Sequence, residues 1–113
     1  MTSYIEAAAL EALRVMKGKN EDYAPTTEFS NFEKAAEFAG VTVDEAISVM
    51  IGIKQTRAEA LADGRQVNNE ALDDTLLDWQ NYINILRAWR TKQVVDAGVL
   101  RPEETRHPTD GYM

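Results

Sequence analysis

From Asn69 to Ala97 the chain runs without a glycine or a proline. Leu72, Leu76, Trp79, Ile83 and Leu86 recur along it at helical spacing and form one apolar face. At 1.5 Å per residue this stretch is a helix of roughly 40 Å. A compact domain of this size has a radius of gyration of only about 13 Å, so one helix must traverse the molecule and the rest must pack along it. Its far end, with Trp89, Val94 and Val95, is expected to overhang the core and to be buried against a second copy, giving a homo-oligomer. The alternative is a kink near Thr91 that folds the end back.

Three shorter helices precede it. Thr2 or Ser3 can cap the first, which reads as residues 3–17, with Ile5, Ala8, Ala12 and Val15 as its apolar stripe and Gly18 as its stop. The segment "KNEDYAPTTEF" then reads as a loop. Ser30 with Glu33 and Thr42 with Glu45 are two capping boxes, opening helices over 31–39 and 43–62, closed by Gly40 and Gly64. Asn68 or Asn69 can cap the fourth helix, 69–97. No run of alternating β-branched residues marks a strand. The fold class is all-α, a compact four-helix bundle in a single domain over residues 1–98. Residues 99–113, which hold two of the three prolines, read as an extended C-terminal tail.

Composition narrows the chemistry. Acids outnumber bases 19 to 12, a formal charge of −7, which disfavours general nucleic-acid or anionic-membrane binding. No apolar run approaches the length of a membrane span. With no cysteine, disulfides, thiol catalysis and thiolate metal centres are excluded, which fits a cytoplasmic protein. The single histidine, His107, lies in the polar tail, so a histidine-based metal site or triad within one chain has no support.

The charged residues inside the helical pattern are more informative. Glu70, Asp74 and Asp78 stand four apart, so they stack along one ridge, where each like-charge pair costs roughly 0.2–0.5 kcal/mol. Asn81 continues that line, and Leu77 and Ile85 flank it. On the third helix, at about 100° per residue, Ile47, Met50, Ala58 and Leu61 fall within about 40° of Lys54, with Arg57 about 60° to one side. A basic group on a core-facing line needs an anionic partner, because an unpaired buried charge costs several kcal/mol. Lys54 and Arg57 are thus expected to meet the acidic ridge across an antiparallel hairpin. The arrangement is open between architectural ion pairs, a solvated charged face and a ligand site. Three carboxylates on one helix face can hold Mg²⁺; lysine and arginine together can hold phosphate. Lys19, Asp22 and Tyr23, expected where the first helix gives way to a loop, are further candidates. Phe29, Phe32, Trp79 and Trp89 read as packing residues.

Taken in order, "KNEDYA", "FSNFEKA", "KQTR" and "EALDDTLLDWQNY" resemble the family called nucleotide-modification-associated domain 1. These are small phage and bacterial proteins placed near genes of nucleotide metabolism. The last segment is also similar to half of the acidic motif of MazG-like all-α nucleoside triphosphate pyrophosphohydrolases, with Glu70 and Asp73 in E-x-x-D spacing. The resemblance implies a nucleotide-handling protein of the host cytoplasm. In its enzymatic form it would be a Mg²⁺-dependent hydrolase, with Glu70, Asp74 and Asp78 as metal ligands. Lys19, Lys54, Arg57 and Asn81 would then bind phosphate and substrate, and Asp22 and Tyr23 would act as catalytic, substrate-orienting residues. Lys54 and Arg57 stand where that second family places metal-binding glutamates, so nucleotide binding is implied more directly than hydrolysis. A non-catalytic nucleotide-binding module and a helical protein-interaction module are the alternatives.

Overall fold

A computed structural model describes residues 3–23, 28–63 and 69–98, except for the side chains of residues 20–23 and 69. The expected caps Thr2 and Asn68, the Asn69 side chain, the Gly64 stop, His107 and the tail over 99–113 lie outside the described residues. The described residues form four α-helices and no strand: α1 (Tyr4–Tyr23), α2 (Ser30–Ala39), α3 (Val43–Ala62) and α4 (Asn69–Asp96). The α3–α4 hairpin is the most extensive contact; α2 packs on α3, and α1 on α4. No helix among the described residues is long and apolar enough to cross a membrane.

Local chemistry accounts for most boundaries. The Ser3 hydroxyl accepts from the Glu6 N–H at 3.1 Å and caps α1. Thr42 and Glu45 form the expected reciprocal capping box, each side chain accepting from the other residue's N–H at 3.1 Å. Gly40 takes the left-handed conformation, φ 70°, that ends α2. There a side chain would be strained, which is why glycine suits this stop.

Two boundaries differ from expectation. α1 does not stop at Gly18 but runs on to Tyr23, so Lys19, Asp22 and Tyr23 belong to a helix and not to a loop. Glycine inside a helix costs only about 1 kcal/mol relative to alanine, and Lys19, one residue past it, is tied to α4 by an ion pair. α2 begins at Ser30, with Phe29 and not Ser30 in the cap position; the Phe29 carbonyl accepts from the N–H groups of Phe32 and Glu33. Its ring is buried against Trp89, edge to face, with centroids 5.2 Å apart.

That stacking also corrects the expected overhang. Trp89 is buried, and with Phe29 and Ile47 it forms the core, to which Phe32, Val43, Ile51, Ile85 and Leu86 add partly buried surface. α4 continues through Thr91 without a break. The α4 face directed at the core is therefore the one bearing Ile85 and Trp89. Leu76 and Ile83, on the apolar stripe read from the sequence, remain 45% and 40% exposed.

Ile47 is fully buried at the centre of this small core. Ile47→Ala should destabilise the fold by about 2–5 kcal/mol through lost burial and the cavity left behind. Thr42→Ala, which removes only a cap, should cost about 1 kcal/mol. Urea denaturation of both variants measures the difference.

Candidate functional site

α4 presents two successive polar rungs to α3. The first is Asp78. Its Oδ2 lies 3.2 Å from Nζ of Lys54 on α3, and its Oδ1 accepts from Nζ of Lys19 on α1 at 3.1 Å. One carboxylate thus joins three helices, each oxygen engaged by a different lysine. The second rung is Thr75, where the hydroxyl accepts from Arg57 Nε at 3.2 Å and donates to the Ala71 carbonyl at 2.8 Å. The three-residue step from Lys54 to Arg57 matches the step back from Asp78 to Thr75, as an antiparallel pair of helices requires.

One turn beyond Asp78, Asn81 is buried and its Nδ2 donates to the Ala12 carbonyl of α1 at 3.0 Å. Its Oδ1 is buried with no hydrogen-bond partner among the described residues. Asn81 and Asp78 together seat α1 on α4: Asn81 by a hydrogen bond from its side-chain amide to the α1 backbone, Asp78 by charge.

The electrostatics at Asp78 are a contest. Burial acts to raise its pKa, but hydrogen bonds from Lys19 and Lys54, with the positive charge of both, outweigh it and hold the carboxyl below its ordinary value. The ion pairs are sheltered unequally: Lys54 is 22% exposed, Asp78 25% and Lys19 53%. The Lys54 pair carries more of the energy, since exposed pairs are screened by water and salt.

The structure brings together some of the residues singled out in the sequence and separates others. Lys19, Lys54 and Asp78 converge, and Arg57 and Asn81 lie one turn to either side. Glu70 and Asp74 share the Asp78 ridge but are exposed. No group of three or more His, Cys, Asp or Glu among the described residues is placed to hold a metal ion. The Asp22 and Tyr23 side chains lie outside the described residues. Thr75 was not anticipated. A buried hydroxyl in mid-helix that returns a hydrogen bond to the carbonyl four residues earlier is common, and only its place one turn before Asp78 marks it in the sequence. Compared with known proteins, the chain matches no family model, no curated protein and no solved structure. Geometry therefore carries the functional reading.

Asp78→Asn removes the shared counterion while leaving both lysines. Its cost should fall between that of an exposed pair, about 0–1 kcal/mol, and a fully buried one, about 3–5 kcal/mol, hence about 1–3 kcal/mol; Lys19→Met should cost less than Lys54→Met. The pH dependence has a defined sign. An unfolded Asp titrates near about pH 3.9 and the folded one lower, so the unfolded chain binds its proton first as the pH falls. Asp78 contributes stability that is fully present above the unfolded value and lost as the pH drops through the folded value. Below about pH 4 the wild type should lose stability more steeply than Asp78→Asn, as measured by urea denaturation across that range.

Proposed function

We propose that the chain binds a phosphorylated small molecule of the nucleotide class through Lys19, Lys54 and Arg57, and that it does so without a resident metal. The observation that carries this reading is the convergence of Lys19 and Lys54, from different helices, on the single carboxylate of Asp78. Two ammonium groups share one negative charge, and Arg57, one turn along α3, donates to a neutral hydroxyl. These four side chains, Lys19, Lys54, Arg57 and Asp78, carry a formal charge of +2 at a three-helix junction. A phosphate oxyanion is the ligand that balances it, with the guanidinium supplying paired donors and the lysines point charges. Asp78 then acts as a positioning residue that holds the lysines in place before the ligand arrives, so less entropy is lost on binding. The nucleotide class follows from the sequence resemblance.

The metal-dependent hydrolase is the less favoured version. Both oxygens of Asp78 are engaged by lysines, and a cation there would have to displace two ammonium groups that already neutralise the carboxylate. Glu70 and Asp74 are exposed and supply no enclosed second and third ligand.

Differential scanning fluorimetry with common nucleoside mono-, di- and triphosphates and inorganic pyrophosphate, each with Mg²⁺ or with EDTA, tests this directly. A ligand at 100 times its Kd adds about 2.7 kcal/mol of stability. Stabilisation by nucleotide should be insensitive to EDTA and should disappear in Lys54→Met. Stabilisation that requires Mg²⁺, with release of pyrophosphate, would return the site to the hydrolase. No shift with any of these ligands would leave the ion pairs purely architectural.

A further inference from the structure

α4 carries a second line that the fold leaves open. Asp73, Leu76, Gln80, Ile83, Arg87 and Arg90 follow one another in steps of three and four residues, the spacing at which two helices interlock. All six are exposed. The described surface hollows meet along this line. One is formed by α4 alone around Leu76, Trp79 and Ile83, the other lies between α4 and Ala8 and Glu11 of α1, and both include Leu76 and Gln80.

Apolar side chains elsewhere among the described residues do not compensate for this exposure. Six apolar residues are buried among those described, and three of them are alanines. A core this small among the described residues gains from covering a further apolar line.

What covers it is indicated by charge. Along α4 four of the five acids come first, Glu70, Asp73, Asp74 and Asp78, and the arginines follow, Arg87 and Arg90; Lys92 and Asp96 at the C-terminal end pair with each other. A parallel companion of the same sequence would set acid against acid and base against base. An antiparallel one reverses both, which is the condition for a self-complementary two-fold contact. We infer that a second copy of this chain docks antiparallel along α4, with the two-fold axis near Gln80 and Ile83, so that Leu76 and Ile83 are covered and Asp73 of each copy lies against Arg87 and Arg90 of the other. The apolar seam supplies the affinity, and the flanking charges fix direction and register. None of these residues belongs to the Asp78 cluster, so loss of the dimer and loss of nucleotide binding can be told apart.

Charge reversal tests orientation as well as association. Sedimentation velocity should show a dimer for the wild type. It should show monomers for Asp73→Arg alone and for Arg87→Asp with Arg90→Asp, because each variant sets like charges against each other in both halves of its own dimer. Mixing the two variants should restore a dimer containing one of each. A monomeric wild type, or variants that remain dimeric by themselves, overturns the proposal. Since the chain has no cysteine, a second measurement needs no variant of a charged group. Gln80→Cys on the axis should form an intermolecular disulfide on mild oxidation, and Ser48→Cys, exposed on α3, should not. Equal cross-linking of the two, or none at Gln80→Cys, also overturns it.

Discussion

The carboxylate of Asp78, shared between a lysine of α1 and a lysine of α3, is the contact on which the arrangement of this molecule turns. Apolar packing alone would not determine where α1 lies. Its Ala12 is buried, but Ile5, Leu10 and Leu13 stay exposed, so little apolar surface distinguishes one seating from another. A charged contact and the Asn81 bond to the Ala12 carbonyl are directional, and together they fix both the rotation and the height of α1 on α4. Polar contacts of this kind add modestly to stability and more to uniqueness, because any other seating leaves an unpaired group behind.

The same contact decides which side of α4 faces inward. Judged by hydrophobicity, the stripe through Leu72, Leu76, Trp79 and Ile83 is the stronger claimant. It loses because Lys54 and Arg57 lie on the side of α3 that meets α4, and both need partners there. A face with Asp78 and Thr75 followed by Ile85 and Trp89 satisfies the basic groups at one end of the hairpin and builds the aromatic core at the other. The apolar stripe would have buried Lys54 against leucine, at a cost of several kcal/mol. Its own partial exposure costs less, roughly 25 cal/mol for each Å² left in water, and that cost is recoverable if another surface covers it.

Much of this could be read in the sequence, and the parts that could not have a common cause. Helix number, the Thr42 capping box and the Gly40 stop follow from local chemistry and are as expected. So does the meeting of Lys54 with Asp78, because a lysine at a core-facing position on one helix and an acidic ridge on its neighbour leave few other solutions. The run of α1 through Gly18, the burial of Trp89 within its own chain and not against a second copy, and the buried hydroxyl of Thr75 were not legible. Each depends on what another helix brings: Asp78 holds Lys19 beyond the glycine, Phe29 seats the tryptophan, and Arg57 finds the threonine. Periodicity identifies the faces of a helix but does not rank them when one is apolar and another is charged with partners waiting.

A chain with a formal charge of −7 is an unexpected place for the proposed anion site, but the two scales do not conflict. At physiological ionic strength charges more than about 8 Å apart are largely screened, so most of the acidic surface acts weakly at the junction of α1, α3 and α4. What the proposed phosphate would meet there is set by groups within a few ångströms, where Lys19 and Lys54 share the Asp78 carboxylate and Arg57 donates to the Thr75 hydroxyl. The global charge has a different consequence. It slows the approach of polyanions and sets no barrier to a small ligand already at the surface, so size would separate the proposed nucleotide binding from nucleic-acid binding. Asp78 would sharpen this division: as a shared counterion it draws Lys19 and Lys54 together and offsets one of their two charges, which suits the proposed single phosphate group better than a backbone of many.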